Sequence, residues 1–452
     1  MWALLRTNRD LRWLFIALVV SYIGDWFAYV AFVGVVQDVS DASILVTLVL
    51  VAQALPAFLM TPIAGPVADR HNRKVVIMTV ATVQTFAALA LLLVDSEGTL
   101  WLGYIGLCTI SALAAFVGPA AQAAIPNLAR TPEEHAKASV MFGSLWGAML
   151  AVGAALGGLV AGVFGRNVAF VANAASFAVA VGVVALIRRP MQATRGDESA
   201  RPRIRPIADM REALGFARRD SVLLALLSSK ATFAMGAGVV GLLAVLVTEE
   251  LGGGDTQTGL IISVRGLGVA VGPLIAAPFA RASLGRVLAI CGVAGAIWGV
   301  SYLGLSVAPT FALALPLVLI GHLGGGAQWT LSSYGLQARA PDHVRGRILA
   351  GDFGMVTLII TLSNVAAGVL ADAVGVRPTI ALFAALDIAA AAVYLVATRP
   401  VRERLLREAE PAWSDGVRAD RLLSGEVAAE HAHDELAVGE RRFDPGAEPG
   451  RD

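Results

Sequence analysis

Apolar stretches long enough to cross a bilayer follow one another along most of the chain. A helix needs about 20 mainly apolar residues to span the hydrocarbon core, and backbone groups there must be hydrogen-bonded within the helix. Glycine, proline or charged residues separate neighbouring stretches. The pattern predicts twelve transmembrane helices, at about 11–36, 44–66, 75–94, 100–125, 138–163, 167–187, 221–248, 258–279, 287–307, 309–335, 349–371 and 377–397.

The composition agrees with a membrane protein. Of the 452 residues, 57% are hydrophobic and 15% are charged, which is too little charge for the surface of a soluble protein of this size. The first apolar stretch is longer than the core of a cleavable signal peptide. We therefore expect it to be retained as the first span.

Basic residues alternate from one connection to the next. Lys and Arg accumulate in short cytoplasmic loops. The N-terminus and the connections after even-numbered spans are basic, whereas the other connections hold only Arg166 and Arg377. This pattern predicts that both termini face the cytoplasm, which requires an even number of spans. We expect a multi-pass protein of the cell membrane.

The longest internal connection divides the spans into six and six. We predict an N-terminal six-helix bundle at 1–187, a cytoplasmic linker at 188–219 and a C-terminal six-helix bundle at 220–398. The linker holds nine arginines and an amphipathic pattern, which favour a helix bound to anionic inner-leaflet lipid rather than to nucleic acid. Residues 399–452 are charged and contain proline, so we expect a largely disordered cytoplasmic tail.

The connection after span 2 carries a family signature. It reads Gly65-Pro66-Val67-Ala68-Asp69-Arg70-His71-Asn72-Arg73-Lys74. It resembles the loop G-x-x-x-D-R-x-x-R-[RK] that the major facilitator superfamily has between spans 2 and 3. The resemblance covers about residues 10–398 and implies an all-α fold of twelve membrane helices in two six-helix bundles.

Each residue of that loop has an expected role in a conformational gate. Gly65 would permit close helix approach, and Asp69 would accept hydrogen bonds from a neighbouring helix terminus or an arginine. Arg70, Arg73 and Lys74 would hold the loop on the cytoplasmic side. An ordinary cytoplasmic loop would also account for the basic residues. The connection after span 8 is a weaker copy that lacks the acidic residue.

Span 5 contains glycines at four-residue spacing. Gly153, Gly157 and Gly158 lie in a segment that is similar to the antiporter signature ending G-P-x-x-G-G, with Ala154 at the place of the proline. Such glycines let a neighbouring helix approach closely, so tight packing alone also explains them. The loops after spans 4 and 10 look like those of the facilitator branch with macrolide, tetracycline and siderophore exporters. The resemblance implies drug/proton antiport.

Asp25 is the strongest candidate for proton coupling. It lies about 20 Å along span 1, near the membrane midplane, with Tyr22 and Tyr29 on the same helix face. Ionisable groups at this depth are costly and mark transport pathways or proton relays. We expect Asp25 to exchange a proton for a cationic or amphipathic substrate. The alternative is a structural carboxylate bonded to a neighbouring helix.

Other polar residues within the spans are candidates for the same pathway. Arg265 in span 8 is expected to bind an anionic group, to pair with a carboxylate or to extend outward. His322 in span 10 is expected either to relay protons or to pack through a hydrogen bond. Gln53 and Gln122 are placed near the cavity, although hydrogen bonds between helices are their default role.

Three further ionisable residues lie within spans. Lys230 in span 7 is expected to extend its ammonium towards the cytoplasm. Asp352 lies close to the cytoplasmic end of span 11, where a helix cap or a loop contact would explain it. Asp387 in span 12 has no assigned role.

The absence of nucleotide-binding motifs limits the energy source that transport can use. The sequence has no G-x-x-x-x-G-K-[ST] loop for ATP, so the energy must come from a gradient. Residues 236–241 match the glycine spacing of a dinucleotide-binding motif. They lie inside span 7 with no preceding strand, so we attribute the match to chance. No catalytic residue, metal site or cofactor is predicted.

We therefore predict a monomeric, proton-coupled secondary transporter that exports small amphipathic molecules by alternating access. Its expected partners are the small-molecule substrate, protons and membrane lipid. One alternative is a proton-coupled uptake symporter for a small metabolite. Another is a receptor or scaffold that has the same fold but does not transport.

Overall fold

The computed structural model describes residues 2–143, 145–192, 215–280 and 283–412. Within these ranges, twelve helices are long and apolar enough to cross a membrane, which confirms the predicted number. We label the main α-helix of each span α1 to α12, and α7 is the first part of a span that continues to Glu250. Their bounds are Arg9–Val39, Ser43–Arg70, Arg73–Ala90, Leu100–Leu128, Leu145–Phe164, Arg166–Ala185, Ser221–Gly236, Asp255–Ala280, Leu284–Ser306, Phe311–Arg339, Asp342–Val374 and Val376–Ala397.

Short helical segments flank the spans. They are Trp2–Thr7 before α1, the 3₁₀ turns Leu91–Leu93 and Glu97–Thr99 between α3 and α4, Pro132–Gly143 before α5, and Arg399–Ala412 after α12. The amphipathic helix expected in the linker falls mainly on residues 193–214, which lie outside the described residues.

The beginning of the tail differs from its expected disorder. Residues 399–412 form a helix, in which Arg399 pairs with Glu403 one turn further along at 2.7 Å. Leu405 and Leu406 lie against Gly285 at the start of α9. These apolar contacts and the pairing of charges along the helix stabilise a segment whose charge alone suggested disorder. The rest of the tail, 413–452, is outside the described residues.

The spans form two bundles. Helices α1 to α6 pack on one another, and so do α7 to α12. The bundles meet along two seams, one between α5 and α8 and the other between α2 and α11. This is the all-α architecture of two six-helix bundles that the resemblance implied.

Glycines bring the backbones of α5 and α8 into contact. A Cβ added at Gly158 would lie 2.7 Å from the Cα of Gly259 and 2.6 Å from the carbonyl oxygen of Asp255. A Cβ added at Gly266 would lie 2.7 Å from the backbone nitrogen of Ala151. The seam is therefore a backbone-to-backbone contact, which only small residues permit.

The same helix also approaches α1. A Cβ at Gly153 would lie 3.0 Å from Trp26, and one at Gly157 would lie 3.0 Å from the Cα of Phe27. The glycines of the antiporter-like segment thus serve two neighbours, α1 within the bundle and α8 across the seam. Close packing, the simpler of the two explanations, is observed for each of them.

The seventh span is not a continuous α-helix. It changes after Gly236 to a 3₁₀ segment at Ala237–Val240 and ends in a π-helix at Leu246–Glu250. At the break, the Gly238 N–H donates to Ser363 Oγ of α11 at 3.0 Å, and that hydroxyl donates to the Met235 carbonyl at 2.5 Å. The serine satisfies backbone groups that the break exposes. The glycine-rich segment at 236–241 therefore coincides with the break in the helix.

A valine at Gly158 should destabilise the seam between the bundles. Its side chain would overlap the α8 backbone, and overpacking typically costs about 1–3 kcal/mol. Gly147 on the same helix is the control, because no described atom lies within 4 Å of a Cβ added there. We expect a lower melting temperature in detergent for Gly158→Val than for Gly147→Val. Equal melting temperatures would show that the contact does not support stability.

Candidate functional site

The two ends of the molecule differ in charge. We call the end with the N-terminus and the α2–α3 connection the basic face. The opposite end, with Asp38, Glu250 and Asp255, is the acidic face.

Asp25 lies halfway along α1. It is about 24 Å from the Arg9 end of a helix about 45 Å long. Its neighbour Gly24 packs against α6 and its other neighbour Trp26 packs against α5, so Asp25 faces away from both helices. Asp25 Oδ1 is buried and has no hydrogen-bond partner among the residues that the structure describes. A carboxyl oxygen without a partner at this depth is available to a proton or a ligand.

Of the two tyrosines predicted beside Asp25, Tyr22 is the one near the carboxyl group. Tyr29 is buried, and its ring packs edge-on against Trp26 with the ring centroids 5.4 Å apart. Tyr29 lies near Arg265 instead. The structure thus divides the predicted group between two positions on α1, one turn apart.

Arg265 lies about 15 Å from the Asp255 end of α8, between the two bundles. It lies near Tyr29 of α1, Tyr302 of α9 and His322 of α10. Its Nε is buried without a hydrogen-bond partner in the described part of the chain. Asp25 and Arg265 do not form an ion pair. An unpaired guanidinium at this depth attracts an anionic or acceptor group.

His322 is placed in the interior of the C-terminal bundle. Only 2% of the residue is exposed, and its Nδ1 lies 3.0 Å from the Val318 carbonyl oxygen. Its ring centroid is 5.8 Å from that of Tyr302, which stacks on Trp298 at 4.0 Å. The surroundings fit a hydrogen-bonded packing histidine. Tyr302 was not predicted, although its i, i+4 spacing from Trp298 marks an aromatic face on α9.

The two glutamines lie apart from these groups. Gln53 is half-buried on α2, and its backbone carbonyl accepts a hydrogen bond from Ser111 Oγ at 2.5 Å. Gln122 is exposed on α4. Among the described residues, neither side chain hydrogen-bonds to Asp25 or Arg265.

The signature loop holds the basic face of the N-terminal bundle together. Arg73 Nη1 donates to the carbonyls of Ala123 at 2.8 Å and Met191 at 3.0 Å. Lys74 Nζ donates to the carbonyls of Ala185 and Ile187, both at 2.8 Å. The two cations therefore satisfy carbonyl groups at the ends of α4 and α6, where helix dipoles favour positive charge.

Gly65 does not have its expected role in this conformation. No described atom lies within 4 Å of a Cβ added there, so no helix approaches closely. Arg70 is exposed at the end of α2. The side chain of Asp69 is outside the described part of the chain.

The structure corrects the expectations for Lys230 and Asp352. Instead of extending to the cytoplasm and capping a helix, they form an ion pair between α7 and α11, with side chains only 3% and 4% exposed. Lys230 lies about 14 Å from the Ser221 end of its helix. That is too deep for its side chain to reach water, so a carboxylate on a neighbouring helix neutralises it.

Asp387 lies between α12 and α7. A Cβ added at Gly236 would lie 2.9 Å from its Cβ and 2.8 Å from the Trp298 ring. Neither carboxyl oxygen of Asp387 has a hydrogen-bond partner within the described ranges. Gly236 thus provides the space that this buried carboxyl group occupies.

Arg166 joins the bundles at the acidic face. Its guanidinium binds both oxygens of Asp255 in α8, at 2.8 and 3.2 Å, and it also pairs with Asp38 of α1. We call these three residues the acidic-face latch. The sequence offered one signal for it, since Arg166 breaks the alternation of basic connections. Arg377, the other exception, pairs with Glu250 within the C-terminal bundle at 2.6 Å.

Further polar contacts join the bundles beside the latch. Asp372 of α11 accepts hydrogen bonds from the backbone N–H groups of Ser43, at 2.6 Å, and Ile44, at 3.3 Å, at the start of α2. The Gln37 amide donates to Thr248 Oγ1 at 2.7 Å. A carboxylate from one bundle thus caps a helix of the other. The acidic face is closed in this conformation.

Removing the latch arginine should weaken that closure. An Arg166→Gln variant loses a partly buried ion pair of about 1 kcal/mol, which corresponds to about a five-fold shift in a two-state equilibrium. Closure is measured by disulfide formation between Gln37→Cys and Thr248→Cys after both native cysteines are replaced by serine. We expect slower cross-linking.

Arg377→Gln is the matched control. It removes one guanidinium and one ion pair from the same face, but both partners belong to the C-terminal bundle. Its cross-linking rate should equal that of the parent. Equal slowing by Arg166→Gln and Arg377→Gln would exclude a specific role of Arg166 in joining the bundles.

Sequence comparison identifies relatives over most of the chain. The family described as "Transmembrane secretion effector" matches residues 1–422. The uncharacterized MFS-type transporter YfiS of Bacillus subtilis (strain 168) is 23% identical over 381 residues, which cover 82% of this chain and 89% of that protein.

Two solved structures are similar in fold. A bacterial homolog to the human lysosomal transporter Spinster, inward-facing and unoccupied, has a TM-score of 0.68 at 16% identity and covers 85% of this chain and 96% of its own. A POT family transporter in complex with 5-aminolevulinic acid has a TM-score of 0.69 at 11% identity and covers 87% of this chain and 97% of its own. At these identities the similarity shows the fold alone. The family match over residues 1–422 establishes that the chain belongs to the transmembrane secretion effectors of the major facilitator superfamily.

Proposed function

We propose that this secondary transporter exports small amphipathic molecules in exchange for protons. Proton coupling rests on one observation, the buried Asp25 oxygen without a described hydrogen-bond partner at the middle of α1. Export is supported by the family's description as secretion effectors. The similarity of the Gly153–Gly158 segment to the antiporter signature supports exchange.

The basic face is the cytoplasmic one in this proposal, and both termini lie there in the cell membrane. The excess of Lys and Arg in its connections supports this orientation. The conformation with a closed acidic-face latch is then inward-facing. The inward-facing Spinster homolog of similar fold supports that assignment.

Exchange follows from competition at Asp25. A carboxylate at this depth is neutralised either by a proton or by a cationic group of the substrate, and it does not hold both at once. Substrate from the cytoplasmic side binds when the proton leaves. After the latch opens, a proton from outside displaces the substrate.

The residues around Asp25 give the substrate site its polarity. Tyr22 and Tyr29 supply hydroxyl groups and aromatic faces on the wall formed by α1. Arg265 on the opposite wall orients an anionic or acceptor group of the substrate. Gln53 and Gln122 add uncharged hydrogen-bonding groups on α2 and α4, further from Asp25, and the buried His322 packs near Arg265. The transporter acts as a monomer, and its linker arginines bind anionic inner-leaflet lipid.

An Asp25→Asn variant should lose transport against a gradient, because asparagine cannot carry the proton. Protein reconstituted in vesicles with an imposed pH gradient is screened with lipophilic cations, macrolides, tetracyclines and siderophores. Wild-type protein should accumulate at least one of them. Asp387→Asn, which removes another buried carboxyl group, is the control and should transport normally.

The outcomes separate the parts of this proposal. Wild-type uphill rates in Asp25→Asn would remove Asp25 from the coupling step. Absence of both compound movement and proton flux in wild-type vesicles would contradict antiport. Cells lacking the protein should accumulate more of the transported compound, and less accumulation would favour the uptake symporter.

The orientation has its own test. A reporter that is active only in the cytoplasm, fused to either terminus, should be active in cells. A reporter inserted in the α1–α2 connection should be inactive. The reverse pattern would place the basic face outside.

A further inference from the structure

The ion pair of Lys230 and Asp352 has no part in the exchange at Asp25. The Lys230 ammonium pairs with Asp352 Oδ2, donates to Ser333 Oγ at 2.7 Å and lies 5.0 Å from the centre of the Trp329 ring. The ammonium thus has two hydrogen-bond acceptors and one aromatic ring as neighbours. Three helices, α7, α10 and α11, contribute to the cluster.

Only one of the two carboxylate oxygens of Asp352 has a hydrogen-bond partner among the described residues. Its Oδ1 is buried and has no hydrogen-bond partner in the described ranges. A carboxylate accepts at both oxygens, so one acceptor position in this buried cluster is unused. A proton is small enough to occupy it without displacing a neighbouring side chain.

The pair lies next to a seam between the bundles. Phe353, adjacent to Asp352, contacts Phe58 of α2 with ring centroids 6.2 Å apart. Lys230 is six residues, or about 9 Å, from Gly236, where the seventh span leaves α-helical geometry. A change at the pair therefore reaches both the α2–α11 seam and the helix break.

Few other ionisable groups face the pair. From α9, Cys291 lies near Lys230. From α12, Asp387 faces Gly236 further along α7. Helix α10 contributes Ser333 and Trp329, and α2 has no ionisable residue between Ser43 and Val67. The balance of charge at this site therefore depends on the Lys230–Asp352 pair itself.

We propose that Asp352 is a second proton-binding site whose protonation releases Lys230 and separates α7 from α11. A proton added to Oδ1 gives a neutral acid and leaves the ammonium of Lys230 buried without its counterion. Because an uncompensated buried charge is strongly unfavourable, proton uptake drives the pair apart and admits water. The inference rests on the proton coupling proposed above, and it adds a second proton to the cycle.

Infrared difference spectra test the proton site without any substrate. Full-length protein in lipid nanodiscs is compared in alkaline and acidic buffer, and protonated carboxyl groups are read from their C=O stretch. Asp352→Asn should lose one band that wild type gains in acid. Lys230→Met should lose the same band, because a buried carboxyl group without a cation stays neutral in both buffers. Retention of every band by Asp352→Asn overturns the proposal.

A double variant that removes both charges controls for misfolding of the single variants. Lys230→Met combined with Asp352→Leu removes both charges, and such replacements of buried pairs are often well tolerated. It should lose the band while remaining monodisperse. Spin labels at Leu224→Cys and Gly346→Cys, with Cys108 and Cys291 replaced, should move apart in acid in the parent and stay at one distance in this double variant. A distance that does not change in the parent overturns the release step.

The Asp25→Asn variant distinguishes failure of this inference from failure of the proposed function. It should retain the band assigned to Asp352. If Asp25→Asn abolishes uphill transport while Asp352→Asn leaves the spectrum unchanged, only the second proton site is wrong. If the Asp352 band is found but Asp25→Asn transports normally, the exchange mechanism at Asp25 is wrong.

Discussion

A charge within the hydrocarbon region must be paired, neutralised or brought to water, and the arrangement of this protein depends on that constraint. Lys230 and Asp352 meet it by pairing between two helices. Asp25 and Arg265 do not meet it through any described partner, although both lie at the middle of their helices. The unpaired charges are therefore the ones expected to meet the substrate, while the pair joins α7 to α11 until Asp352 is protonated.

The same constraint explains the two arginines outside the basic connections. An arginine on the acidic face acts against the charge asymmetry that orients the chain. Arg166 and Arg377 are both neutralised by carboxylates, Arg166 across the two bundles and Arg377 within one. Each exception to the sequence pattern is thus an ion pair in the structure, and the pair that crosses the bundles is the one suited to control access.

The spans could be predicted from the sequence because the apolar length of each one is a local property of the chain. Apolar length and basic alternation gave twelve helices, and glycine spacing gave the close approach at Gly153, Gly157 and Gly158. The pairing of Lys230 with Asp352 was not predictable in this way. Residues 122 positions apart become neighbours only through the rotation and depth of two helices. The roles predicted for Lys230 and Asp352 were wrong because the position of a residue along its own helix does not show which residue of another helix lies beside it.

The two kinds of contact between the bundles suit a protein that must change conformation. Along α5 and α8, glycine backbones touch, and the side chains seated in this seam are small or apolar, as with Thr256 against Gly162 and Leu150 against Gly266. Within the described ranges, the seam therefore holds no ion pair that must break when one helix moves on the other. At the acidic face, the contacts are hydrogen bonds and ion pairs, and the Asp38 and Arg166 side chains are 66% and 23% exposed. Water can replace such contacts at small net cost. Opening this face therefore exchanges polar contacts for hydration, and the remaining cost is the exposure of the apolar core that the two bundles share, such as Val46, which lies in one apolar cluster with residues of the seventh span and α11.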